Sequence, residues 1–271
     1  MGSWPAGVPA LVPVYNHVAT VAAVVSGLRA LGAPYILVVD DGSTDGSGAA
    51  AGADALLTFP HNRGKGAALR CGLDHLAAAG WVCALTCDAD LQHPPAEALR
   101  LATAAVADPA ALWLGRRDMR AAPWASRIGR FWTGFATWAV CGRWTVDNQT
   151  GLRVYPLPVA ARLPVRAGRY AYEVESCVRA VWAGVAVREL VVAVAYPADR
   201  VSHFAGWRDS WRATGVVLRL FARRLLPWPH APGGGGGAWA PPPGSRPSRA
   251  CNSSPRRGWR GRCVSIRRSR N

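Results

Sequence analysis

The sequence predicts an α/β domain built on a mainly parallel sheet. Three observations carry this. Short β-rich apolar runs alternate with helix-patterned stretches about every 25 residues, the rhythm of consecutive βα units. The polar motifs Tyr15-Asn16, Asp40-Asp41 and Asp88–Gln92 each fall where such a run ends, and that carboxyl edge is where open α/β sheets bind ligands. No internal repeat is visible, so a solenoid or propeller is not indicated.

The elements follow in order. A first strand reads over 10–14, ALVPV, and residues 18–31 then keep helical apolar spacing up to Gly32. A second strand over 35–39 leads into the turn GSTDGSG and a small-residue helix over 46–53. A weak strand over 55–59 precedes HNRGKG and a helix over 66–79; a strand over 81–87 precedes a helix over 95–107 that opens on Pro-Pro. A strand over 112–115 ends in Arg116-Arg117, and residues 124–141 form a Trp-rich amphipathic helix. Then come a strand over 151–155, a helix over 172–184, a β-branched strand pair or hairpin over 185–195, and a helix over 207–226 alternating Arg with apolar residues. From Pro227 the pattern collapses into a five-glycine run and Arg/Ser-rich sequence that cannot bury a core. The expected organisation is one folded domain over 8–226 and a disordered Gly/Pro/Arg-rich tail over 229–271.

Composition narrows the partners. The formal charge of +16 over 271 residues suggests nucleic acid or an anionic surface. Nine arginines and no acid lie after Pro243, however, leaving +7 for the remainder, a balance suited to handling phosphates. A non-catalytic nucleic-acid binder acting through that tail is the reading from another class. With Trp259 the only aromatic after Pro243, the arginine-rich stretch is poor in stacking surfaces, and no specific nucleic acid is expected. Seven cysteines without a CxxC pair read as reduced core residues of a cytosolic protein. No signal peptide and no apolar run long enough to span a bilayer are apparent.

The richest motif is CDADLQHPP, 87–95. At strand spacing, Asp88 and Asp90 point the same way, and two adjacent carboxylates repel unless a cation sits between them. Mg²⁺ or Mn²⁺ takes such oxygens and shares them with phosphates. A solvated acidic turn is the alternative for this motif alone. In VPVYNH, Tyr15 offers an aromatic surface and Asn16 hydrogen bonds to a nucleotide base, or the segment is simply a turn. In VVDDGSTD, Asp40 and Asp41 sit at a strand tip, placed to accept from a base edge or ribose, or to form an Asx turn. In HNRGKGAAL, glycines 64 and 66 open a helix whose free N–H groups suit phosphate, and the chain's only lysine, Lys65, stands there.

Taken together, VPVYNH, VVDDGSTD, NRGKGAAL and DADLQHPP, in this order, resemble the family 2 glycosyltransferases of GT-A fold, and among them the dolichyl- or polyprenyl-phosphate sugar (mannose) synthases. GRRD (115–118), DNQTGLRVY (147–155), YEVE (172–175) and DRVSHFAGWRD (199–209) extend the resemblance over about residues 8–225. It implies a single Rossmann-like GT-A domain and a hexosyltransferase that inverts the anomeric carbon in one in-line displacement. It implies that Pro13, Tyr15, Asn16, Val39 and Asp41 hold the nucleoside. Asp88, Ala89, Asp90 and Gln92 then hold the metal and diphosphate, and Arg117 and Arg200 pair with phosphate oxygens. Two departures stand out: His17 where the synthases often carry Glu, and His203 near the place of a lysine in their Arg-x-x-Gly-x-Ser-Lys segment.

The acceptor follows from charge. A lipid phosphate is already ionised near neutral pH and needs no strong base, and Arg127 and Arg130 on the helix after GRRD are placed to steer it. A hydroxyl acceptor, on a glycolipid or polysaccharide, needs a base, and Asp147, Glu173 and Glu175 are the candidates. A helix N-terminal preference for Glu173 and Glu175, and a structural Asp147–Arg153 pair, are the alternative readings. Asp90, Asp147 and Glu175 are thus the expected catalytic residues, with Lys65 and His203 beside the donor. Phe131, Trp132, Phe135 and Trp138 recur along one helix and Trp207, Trp211, Leu218 and Phe221 along the next, a pattern fit for a membrane interface or for packing on the sheet. The expected place is the cytoplasmic face of the membrane, peripherally bound, with room for a membrane-protein partner.

Overall fold

A computed structural model of the chain describes residues 3–118, 124–168, 171–195, 215–222 and 266–268. Its strands are β1 (Ala10–Val14), β2 (Ile36–Asp40), β3 (Ala55–Thr58), β4 (Cys83–Thr86), β5 (Leu112–Arg117), β6 (Arg153–Pro156) and β7 (Val187–Val192). They form one sheet in the order β7-β5-β6-β4-β1-β2-β3. Neighbours run parallel except where β6 lies antiparallel between β4 and β5. Ile266–Arg268 (β8) pairs antiparallel with β3 at the edge, a short strand within the segment expected to be disordered. The rest of that segment lies outside the described residues.

The central strands are apolar on both faces because both are covered, as parallel strands require. Val12, Val14, Val38 and Leu85 point to one side, where they meet α1 (Val18–Ala30) and α4 (Pro95–Ala105). Leu11, Leu37, Val39 and Ala84 point to the other, where they meet α3 (Lys65–Ala78), α6 (Leu157–Ala160) and α7 (Ala171–Trp182). A third cluster lies outside α7. There Val140 of α5 (Trp124–Cys141) packs with Ala171, Val178 and with Val216 and Leu220 of a helix over 215–222, α8. The short helix α2 (Ser47–Ala50) follows β2.

The α/β reading and its mainly parallel sheet stand. Segment 185–195 differs from expectation: it is one strand, β7, parallel to β5, and not a hairpin. Its apolar run is unbroken by any turn residue, and Ala195 N–H bonds instead to the Gln92 carbonyl at 2.9 Å. Only 215–222 of the helix expected over 207–226 falls among the described residues.

Candidate active site

The site lies at the carboxyl ends of β1, β2 and β4. Asp88 leaves β4 and turns back over Gly151, where a Cβ would meet its carboxylate. Lys65, the first residue of α3, places its Nζ 2.7 Å from Asp88 Oδ1 and 2.8 Å from Glu173 Oε1 on α7. Asp90 Oδ1 accepts the Gln92 N–H at 3.1 Å, a turn made possible by Leu91 at φ 59°. The two aspartates are held differently. Burial would raise Asp88, but the Lys65 ammonium, with His93 and Arg117 nearby, holds it below the usual carboxylate range. Burial and the Asp88 charge push Asp90 up. A cation between them would relieve that repulsion, and the oxygen donors suit Mg²⁺ or Mn²⁺. Among the described residues no cluster of three His, Cys, Asp or Glu forms, so a bound ion would complete its shell with donor phosphates and water. Lys65 is held charged: burial alone would lower it, but Asp88 and Glu173 raise it above its ordinary value.

Beside this cluster Arg117, at the end of β5, makes a forked pair with Asp147. Arg117 Nε and one terminal nitrogen donate to Asp147 at 2.6 and 2.8 Å, and Asp147 is 1% exposed. The Asp147–Arg153 pair considered from sequence does not form. Arg153 is buried and donates to the carbonyls of Thr150, Asn148 and Glu173. Asp147 thus meets, across the sheet, the very arginine expected on the donor phosphates. Glu175 accepts from the N–H groups of Arg166 and Ala167 and from Arg179. Both Asp147 and Glu175 therefore have their carboxylates occupied, whereas among the described residues Asp90 Oδ1 carries only a backbone bond at its own turn.

The end of the site expected to hold the nucleoside is built from two interlocked loops. Asn16 donates its N–H to Ser43 Oγ, and its Oδ1 accepts from Thr44 N–H at 2.9 Å. His17 N–H reaches Ser47 Oγ, and Val18 N–H reaches Asp45 Oδ2, which serves as the N-terminal acceptor of α1. Asp40 Oδ1 accepts the Ser43 N–H, three residues on, and not the Gly42 N–H that the expected Asx turn would use. Asp41 is buried, and its two oxygens accept the N–H groups of Arg63 and Gly64 at 2.7 and 2.8 Å. It ties the tip of β2 to the loop that carries Lys65. Pro13 stands opposite Val39 in the sheet, and the Val39 side chain lies in the core. Tyr15 is half-buried beside this junction.

Asp88, Ala89, Asp90, Gln92, Lys65, Arg117 and Asp147 come together. Arg200 and His203 lie outside the described residues, as do the side chains of Arg127 and Arg130 on α5. Sequence reasoning missed Gly151 as the seat of Asp88, Glu173 as the partner of Lys65, and Arg153 as a buried hub. The glycine in DNQTGLRVY was visible, but its neighbour was not.

The family model described as Glycosyl transferase family 2 matches residues 10–154, just over half of the chain. The chain belongs to glycosyl transferase family 2. It is 27% identical over 195 residues to an uncharacterised protein of Methanocaldococcus jannaschii, covering 69% of this chain and 80% of the other. It is 25% identical over 186 residues to the UDP-N-acetylglucosamine–dolichyl-phosphate N-acetylglucosaminyltransferase of Methanococcus voltae, covering 59% of this chain and 74% of that one. In fold, this family 2 member resembles the mannosyl-3-phosphoglycerate synthase of Rubrobacter xylanophilus, with a TM-score of 0.59, 22% identity, and 80% and 73% of the two chains covered. It also resembles the glucosyl-3-phosphoglycerate synthase of Mycobacterium tuberculosis solved with Mn²⁺, UDP and glucosyl-3-phosphoglycerate, with a TM-score of 0.62, 18% identity, and 84% and 86% covered. Those two likenesses give the GT-A fold. No helix among the described residues of the family 2 chain is long and apolar enough to cross a membrane.

Proposed function

We propose that this family 2 glycosyltransferase moves a hexose from a nucleotide-diphosphate sugar to a polyprenyl (dolichyl-type) phosphate, with inversion, while docked on the membrane surface. The observation that carries the lipid acceptor is the outer face of α5. Phe131, Trp132, Phe135, Trp138 and Trp144 are 41–60% exposed and touch in series, with ring centroids 5.7–6.0 Å apart. Residues 119–146 contain four arginines and no acid. Amphipathic aromatic faces with basic residues lie well in a lipid headgroup layer. The named acceptor of the Methanococcus voltae relative, a dolichyl phosphate, supports the same reading.

The chemistry follows from the chain. Asp88 and Asp90 hold a divalent ion, which supplies charge stabilisation for the departing nucleoside diphosphate. Before the ion arrives, Lys65 keeps Asp88 ionised and in place. Arg117, locked by Asp147, presents a fixed positive plane to phosphate oxygens. Arg200 and His203 complete the donor side, and Arg127 and Arg130 orient the acceptor phosphate. That phosphate is its own nucleophile, which agrees with the occupied carboxylates of Asp147 and Glu175.

Incubation with radiolabelled UDP- and GDP-sugars, Mg²⁺ or Mn²⁺, and polyprenyl phosphate in vesicles tests this. Label should enter the organic phase only with metal and lipid phosphate both present. Transfer to 3-phosphoglycerate or to a glycolipid hydroxyl, with none to polyprenyl phosphate, would overturn the acceptor assignment.

A further inference from the structure

Lys65 bridges two carboxylates, Asp88 at 2.7 Å and Glu173 at 2.8 Å. Its two partners differ. Asp88 is at the rim of the site and about a quarter exposed, whereas Glu173 is 1% exposed and lies in the first turn of α7. Glu173 Oε2 accepts no hydrogen bond among the described residues. A buried carboxylate with a spare acceptor is costly unless a cation compensates it. When Asp88 shares its charge with a divalent ion, the Lys65 ammonium loses its rim partner and faces a like charge. It is too enclosed to escape into water, being only 20% exposed.

We propose that Glu173 is the retaining site for Lys65, the anion that keeps the ammonium neutralised and drawn back from Asp88 when a divalent ion binds. The inference rests on the metal reading of Asp88 and Asp90. It makes Glu173 a positioning residue, acting through Lys65 and touching neither donor nor acceptor. The geometry supplies what the exchange needs: one ammonium, two carboxylates on either side of it, and unused acceptor capacity on the inner one. Gly66, where a Cβ would come within 3.0 Å of the Ala167 carbonyl, lets the start of α3 approach the loop before α7. That approach sets the distance between Lys65 and Glu173.

The test is Mn²⁺ binding without nucleotide, followed by the electron paramagnetic resonance of free Mn²⁺ and repeated with UDP. Glu173→Gln removes the inner anion and leaves Lys65 held towards the rim carboxylate Asp88, so the ion must displace it. Mn²⁺ affinity should fall about 10–100-fold, the usual cost of losing a support behind a metal ligand. The double variant Lys65→Met/Glu173→Gln has no ammonium to move and should recover wild-type affinity or better. A role for Glu173 limited to fold stability predicts no recovery. Unchanged affinity in Glu173→Gln, or a double variant as weak as the single, overturns the proposal. Should Glu173→Gln fail to show a cooperative melting transition, the double variant decides alone: binding weaker than wild type refutes the idea. If the wild type itself binds no Mn²⁺ with or without UDP, the metal reading falls first and this inference with it.

Discussion

Gly151→Ala isolates the seat of Asp88. Built on the present backbone, the new methyl carbon would stand 2.5 Å from Asp88 Oδ1, with the rest of the carboxylate as close or closer. Real Cβ atoms essentially never come within 3.0 Å of another heavy atom, and ordinary contact begins near 3.4 Å. Asp88 must therefore withdraw by roughly 0.9 Å for its nearer oxygen to clear the methyl, and by roughly 1.3 Å for relaxed contact, where about 0.5 Å is the usual tolerance of a working site. Its 2.7 Å bond to Lys65 would stretch or swing with it. Displacements of about 1 Å near reacting groups cost on the order of 10²-fold in rate. Gly151 does not need a left-handed backbone, so alanine brings no torsional strain there. The expected result is a protein that melts near the wild-type temperature, with Mn²⁺ affinity clearly weakened and turnover down about a hundredfold. Turnover and Mn²⁺ titration on the same preparation would check it. Unchanged metal affinity in a folded Gly151→Ala protein would refute the reasoning.

Asp90→Asn should remove most divalent-ion dependence and at least about a hundredfold of activity, while leaving the melting temperature unchanged or higher, because a carboxylate repelled by Asp88 is gone. Calorimetry with metal and nucleotide sugar checks both halves. Trp132→Ala with Phe135→Ala should reduce sedimentation with anionic vesicles by about ten- to a hundredfold, leaving metal binding intact. Burial raises Asp74 to about 6, with Arg70 opposing, so the native state holds its proton more tightly than the unfolded chain. The stability this contributes is full below the unfolded value of 3.8 and is lost as pH rises through about 6. Asp74→Asn should therefore stabilise at pH 7, by about 1 kcal/mol after discounting for its exposure, with no gain at pH 3.5; denaturant midpoints at the two pH values measure it.

The framework of the sheet was legible because covered parallel strands need continuous apolar runs, and 10–14 and 35–39 have them. The bounds of α5 were legible too, and those of α3 to within one residue at each end. The candidate site was legible where its residues sit on one loop, as Asp88 and Asp90 do. It was not legible where partners come from distant elements. Asp147 and Arg153 are six apart in sequence, yet the pairing strand β5 brings Arg117 to Asp147 and leaves Arg153 to carbonyls. Likewise Lys65 was marked by composition, but its partner Glu173 lies more than a hundred residues away on α7. The short helix α6 escaped notice because LPVA is too brief to show a period. The hairpin alternative for 185–195 arose from β-branched content alone, which does not specify whether a strand turns back.

The interlocking of the loops after β1 and β2 has a consequence for how this site can change. Asn16, His17 and Val18 on one loop are stitched to Ser43, Thr44, Asp45 and Ser47 on the other, and Asp41 fastens the second loop to Arg63 and Gly64. Three segments far apart in the chain are thus tied into one hydrogen-bonded frame. A transplant of any one of them from a relative with a different donor would arrive without its counterparts. An exchange that keeps these hydrogen bonds therefore requires 15–18, 40–47 and 61–65 to move together.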